Sequence, residues 1–146
     1  MLEKSPSGLE SFKMLISKDK MLFLENYSQQ NKPQESCALL LGKRKENQFI
    51  VLETILMEND RKSNIMFTIN EDKLFLAYKK AESMNLSVVG IYHNHPANPV
   101  PSNTDKKYME TNPVPWIIYS TITNESKCYI YYDHEGVTNV DIVFMD

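Results

Sequence analysis

Apolar and polar positions alternate along some stretches of the chain and recur at helical spacing along others. Phe12 to Ser17 alternates and predicts a strand. Lys18 to Gln30 places Leu22, Phe23, Leu24 and Tyr27 at near-helical spacing, and Asn31-Lys32-Pro33 ends that helix. Cys37 to Leu41 is an unbroken apolar run, followed by Gly42 and a charged turn from Lys43 to Asn47; with Phe49 to Met57 it predicts a hairpin. Glu58 to Asn64 reads as a polar loop and Met66 to Ile69 as a short strand. Asn70-Glu71-Asp72 offers a cap and first-turn acids for a helix running to Met84, with Leu74, Ala77, Tyr78 and Ala81 on one face. Leu86 to His95 predicts a buried strand, the prolines at 96, 99 and 101 a loop, and Ser102 to Thr111 a short helix. Trp116 to Ile122, Lys127 to Tyr132 and Asp141 to Met145 complete the strands. The sum is an α/β (mixed α+β) fold, a central mixed β-sheet flanked by helices. Residues 1–10 read as a flexible lead-in and 11–146 as a single domain.

Composition narrows the function classes. The formal charge of −3 over 146 residues argues against a nucleic-acid partner held by electrostatics. No apolar run approaches the roughly 20 residues of a membrane span. Met1 to Gly8 lacks the apolar stretch of a secretory signal. Cys37 and Cys128 are too few for a disulfide framework, and both sit in apolar surroundings as buried small hydrophobes do. The expectation is a cytoplasmic protein with no membrane and no nucleic-acid partner.

The chemistry concentrates in Gly90-Ile91-Tyr92-His93-Asn94-His95-Pro96, which holds two of the chain's three histidines. Two positions apart on a strand, His93 and His95 share a face and can converge on one ion. Asp105, on the first turn of the helix that opens at Ser102, can face them as a third donor. Zinc takes such a nitrogen and oxygen set, and three protein ligands leave a fourth position open, as catalytic sites do. Each piece also has a plainer reading. Ser102-Asn103-Thr104-Asp105 is by itself a capping box, and His-x-His pairs arise on surfaces by chance. The ordered series of strand, His-x-His-Pro, turn-rich loop and Ser-x-x-Asp favours the metal. Glu35 leads directly into the Cys37 strand and is the candidate general base; spacing alone favours an ordinary surface glutamate. His134, in Asp133-His134-Glu135-Gly136, reads as a solvated turn residue.

Taken together, these residues make the chain resemble the JAMM (MPN-plus) zinc metalloproteases, in their compact archaeal and bacterial form. That family's pattern is a glutamate far upstream, then His-x-His-Pro, then Ser-x-x-Asp after a short loop. Glu35, His93, His95, Pro96, Ser102 and Asp105 match it in order. The surroundings are similar too: Pro-x-Glu-x-Cys-x-Leu-Leu-Leu-Gly around Glu35 and Val-Val-Gly-Ile-Tyr before His93. The likeness runs from about Phe12 to Phe144. Asn94 stands where members usually carry Ser or Thr, and the loop from His95 to Ser102 is one residue shorter than the family pattern. Position 94 should point away from the metal face, and an amide still forms hydrogen bonds. The resemblance implies an MPN, cytidine-deaminase-like architecture and one zinc per chain on His93, His95 and Asp105. It further implies Glu35 as the general base that holds the attacking water, and Ser102 as a support for the oxyanion.

The resemblance also implies a substrate class. Ubiquitin-cleaving relatives carry insertions that grip ubiquitin, whereas this chain is close to the bare domain. It is similar to compact members that trim ubiquitin-like modifiers or sulfur carriers after a C-terminal Gly-Gly. The expected activity is that of a deubiquitinase-like metallo-isopeptidase acting at the C-terminus of a small ubiquitin-like protein. Its extended tail could add as a strand along an edge offered by Asn59 to Phe67. Two other roles stay open: a peptidase processing a sulfur-carrier protein, and a non-catalytic MPN interaction module, against which the complete ligand set argues. The acidic balance disfavours a DNA-linked role.

Overall fold

The computed structural model describes residues 11–57, 71–133 and 135–146. The expected lead-in at 1–10, the loop and strand from Glu58 to Ile69, the substrate edge at Asn59 to Phe67, the Asn70 cap and the His134 turn lie outside them. In chain order the elements are β1 (Lys13–Ser17), α1 (Lys18–Asn31), β2 (Cys37–Lys45), β3 (Gln48–Met57) and α2 (Glu71–Ser83). They continue with β4 (Ser87–His95), α3 (Asn103–Thr111), β5 (Trp116–Ser120), β6 (Ser126–Tyr132) and β7 (Gly136–Met145).

The strands form the expected mixed sheet, and that sheet closes on itself in the order β1-β3-β2-β4-β5-β6-β7. β1 makes the closure by pairing in parallel with both β3 and β7. β2 pairs antiparallel with β3, as the hairpin reading requires, and antiparallel with β4 on its other side. β4 and β5 run parallel, joined through α3.

Because strand side chains alternate, closure divides the core in two. Met14, Ile16, Ala38, Leu40, Phe49, Val51, Tyr92, Ile117 and Ile130 point into the barrel. Leu39, Leu41, Ile91, Trp116, Ile118 and Tyr129 point outward, beneath Ala77 and Ala81 of α2 and Met109 of α3. Cys37 to Leu41 of β2 and Val89 to Tyr92 of β4 are therefore covered on both faces, which explains the apolar runs at the middle of the sheet. Gly90 sits where β4 passes closest to its neighbours: a Cβ there would lie 2.7 Å from Met14 Cε and 3.2 Å from the Pro115 carbonyl oxygen.

α1 packs against the interior cluster. Ser17 caps it, accepting from the Lys20 N–H at 3.1 Å, a contact worth about 1 kcal/mol. Its buried positions are Met21, Leu24 and Ser28; of the apolar residues at helical spacing, Leu24 is buried and Leu22 and Phe23 are exposed. The face is fixed by the 2.7 Å hydrogen bond between the Ser28 and Tyr92 hydroxyls, with the Tyr92 hydroxyl also reaching the Leu24 carbonyl at 3.2 Å. Lys43 to Lys45 extend β2 instead of turning, since the chain reverses only at Glu46, whose φ is 56°. Tyr78 faces solvent, because only Ala77, Ala81 and partly Leu74 of that helix reach the core. β5 stops at Ser120, short of Ile122, and β7 begins five residues earlier than expected, at Gly136. Among the described residues no helix is long and apolar enough to cross a membrane.

Candidate metal centre

The site lies where the carboxyl end of β4 meets the N-terminus of α3 and the approach to β2. His93 and His95 both project from the outer face of β4, their ring centroids 4.6 Å apart. His93 is buried, with Trp116 edge-on to it at 5.7 Å. His95 is partly exposed. Asp105, the third residue of α3, reaches back to both rings. Its Oδ1 lies 3.3 Å from His93 Nε2 and its Oδ2 lies 3.0 Å from His95 Nε2.

These distances fit a zinc ion. Donors about 2.0–2.1 Å from a tetrahedral zinc stand roughly 3.3 Å from one another. One donor atom from each of His93, His95 and Asp105 falls within 4.8 Å of the others, and among the described residues no other such group of three is present.

The capping box expected of Ser-x-x-Asp is present, and the same aspartate faces both histidines. Ser102 Oγ accepts from the Asp105 N–H at 3.1 Å, and Asp105 Oδ2 accepts from the Ser102 N–H at 2.8 Å. The cap orients the carboxylate that the histidines face. Burial pushes the Asp105 carboxyl up, but the hydrogen bonds to His93 and His95, the charge of His93 and the Ser102 N–H together outweigh it and hold the group far below the usual carboxylate range. An ionised carboxylate is the form a metal needs. Ser102 itself is exposed at the helix start.

Glu35 lies two residues before β2 and is 9% exposed, buried for a glutamate outside regular structure. Its carboxyl is raised from 4.5 to about 7 by burial; His95 opposes the shift and Asp105 adds to it. That coupling places Glu35 in the electrostatic field of the cluster, away from the role of a surface glutamate. Cys37, next along β2, is in register with His93. All five candidate residues thus lie on segments that meet at this end of the barrel.

Three residues support the site. Asn94 points to the opposite face from the two histidines, as alternation requires, and accepts from the Ser36 N–H at 2.6 Å. Tyr129 donates to the Pro99 carbonyl at 2.7 Å. Thr121 donates to the His95 carbonyl from its N–H at 3.0 Å and from its hydroxyl at 3.3 Å. Only Asn94 left a sequence signal, as an amide between two ligand candidates; the other two depend on β6 and the β5–β6 turn lying beside the loop.

Residues 24–130 match the family described as prokaryotic homologs of the JAB domain. That span includes Glu35, His93, His95, Ser102 and Asp105. The chain belongs to this prokaryotic JAB, or JAMM, family. A relative named desampylase, from Pyrococcus furiosus, is 36% identical over 110 residues, 75% of each protein. A solution structure from Desulfitobacterium hafniense superposes with a TM-score of 0.79 at 23% identity, covering 91% of this chain and 93% of its own. Another from Salinibacter ruber has a TM-score of 0.68 at 26% identity, covering 91% and 92%. The two solved structures share the fold, and the JAB match and the desampylase carry the family assignment.

Proposed function

We propose that this chain is a zinc-dependent isopeptidase or peptidase that cuts the amide after the C-terminal Gly-Gly of a ubiquitin-like modifier. The observation that carries the reading is the convergence of His93, His95 and Asp105 on one point, with the buried Glu35 coupled electrostatically to His95 and Asp105. Membership of the JAMM family supports hydrolysis, and the name of the Pyrococcus furiosus relative supports a ubiquitin-like modifier as substrate. The same scaffold would serve a sulfur-carrier protein with that tail.

His93 Nε2, His95 Nε2 and a carboxylate oxygen of Asp105 are the residues to hold one zinc. When bound, zinc polarises a carbonyl and lowers the pKa of water from roughly 15.7 to 7. Glu35 takes the proton of the attacking water and delivers it to the departing amine, which a carboxyl raised toward neutrality does efficiently. The Ser102 Oγ already accepts the Asp105 N–H, so its own hydrogen is left to donate toward the developing oxyanion. A donor in that role contributes about 3 kcal/mol.

The test starts with metal content. Wild-type protein should carry about one zinc per chain, and His95→Ala and Asp105→Ala should carry none. Glu35→Gln should keep zinc and lose hydrolysis of a ubiquitin-like protein extended beyond its Gly-Gly. A wild-type protein that takes up no zinc, even when refolded with it, would leave a non-catalytic interaction module.

A further inference from the structure

Glu35 stands outside the regular ladder of β2, which begins at Cys37. A general base must hold its place to a fraction of an ångström, because a misplacement of about 1 Å can cost 100-fold in rate. The contacts at Ser36 show how that place is kept. Both main-chain polar groups of Ser36 are taken by a single residue. Its N–H donates to Asn94 Oδ1 at 2.6 Å, and its carbonyl accepts from the Asn94 N–H at 3.3 Å. The side-chain oxygen thus stands where a main-chain carbonyl would complete a ladder pair. Facing an N–H, that amide atom has to be the oxygen. The contact is buried, with Asn94 1% and Ser36 6% exposed.

We infer that Asn94 is a positioning residue that fixes Glu35 relative to the metal ligands. It lies between His93 and His95 in sequence but on the other face of β4, so it cannot reach an ion held by them. Its grip on Ser36 instead ties the residue after Glu35 to the strand that carries both histidines. The base and the ligands then share one rigid frame. This inference rests on the proposed hydrolytic reading, since it assigns Glu35 a reaction to be positioned for.

The test is Asn94→Leu, which keeps size and removes the acceptor. It is compared with wild type by zinc content, amide exchange at Ser36, and steady-state cleavage of a ubiquitin-like protein extended beyond its Gly-Gly. The expected result is undiminished zinc, faster exchange at Ser36, a kcat lowered about 10- to 100-fold and a KM within about twofold. Where Asn94→Leu does not fold, Asn94→Ser serves: its hydroxyl is one bond too short for the contact, and the same pattern should follow at smaller amplitude. An unchanged kcat in a folded variant overturns the inference. So does loss of zinc in proportion to activity, which would make Asn94 a support of the ligands and not of the base. Wild-type protein that binds zinc yet cleaves no such substrate overturns the proposed function instead.

Discussion

Tyr129 and Pro99 are joined by a 2.7 Å hydrogen bond from the phenol hydroxyl to the main-chain carbonyl. Tyr129 stands on the outer face of β6, and Pro99 lies midway along the loop between the two histidines and Asp105. Thr121 holds the start of that loop at the His95 carbonyl, and the Ser102 capping box holds its end. A short loop pinned at three points sets the distance between β4 and α3, and with it the approach of Asp105 to the rings.

Tyr129→Phe removes that hydroxyl and little else. Leaving the Pro99 carbonyl without its partner should cost about 1–2 kcal/mol in chemical unfolding. Zinc affinity, read by competition with a chelator, should weaken by up to about tenfold, as loss of a support to a ligand does. A stability loss with unaltered zinc affinity would assign the bond to folding alone.

Asp105 does two jobs that a single substitution can separate. Asp105→Asn keeps an oxygen to accept the Ser102 N–H, so the α3 cap should survive, although the metal-free protein loses the charged contacts to His93 and His95 and should be less stable. The anionic donor is lost. Added zinc should raise the melting temperature of wild-type protein by mass action and leave that of Asp105→Asn nearly unmoved. Equal thermal shifts in the two proteins would remove Asp105 from the ligand set.

The contrast between Asp105 and Asn94 marks how far sequence reaches here. His93 and His95 share a face by strand period alone, and Ser102 and Asp105 pair by helix geometry alone, so both halves of the centre were legible. The partner of Asn94 was not, because it depends on β2 lying antiparallel to β4 with Cys37 opposite His93. Closure of the sheet has the same origin: β1 enters between β3 and β7, which lie far apart in sequence, and no local pattern encodes that. The buried face of α1 is not legible either, because Ser28, a polar residue, turns inward to meet the Tyr92 hydroxyl.

Gly90→Ala probes the barrel behind the centre. The new methyl would meet Met14 Cε at 2.7 Å, Leu40 Cδ1 at 3.0 Å and the Pro115 carbonyl at 3.2 Å. Met14 can swing away, but the Pro115 main chain has less freedom. Overpacking of this kind should cost about 1–3 kcal/mol. β4 carries both histidines three and five positions on, so zinc affinity should fall together with the unfolding midpoint. An unchanged midpoint would mean that Met14 alone absorbs the methyl.

Glu35 gives the metal-free protein a pH dependence of definite sign. Burial lifts its carboxyl from 4.5 to about 7, so between these values the folded chain keeps a proton that the unfolded chain has lost. The native state binds more protons in that window, so its stability falls as pH rises from 4.5 to 7 and levels off above. Other groups titrate as well, so the measurement is a difference. Urea unfolding of chelator-treated wild type and Glu35→Gln at pH 5 and pH 8 should show wild type losing ground to the variant at the higher pH. Zinc should favour the ionised carboxylate, so zinc affinity should climb more steeply with pH in wild type than in Glu35→Gln up to about pH 7. Parallel profiles for the two proteins would place Glu35 out of reach of the metal and return it to the role of a buried structural acid.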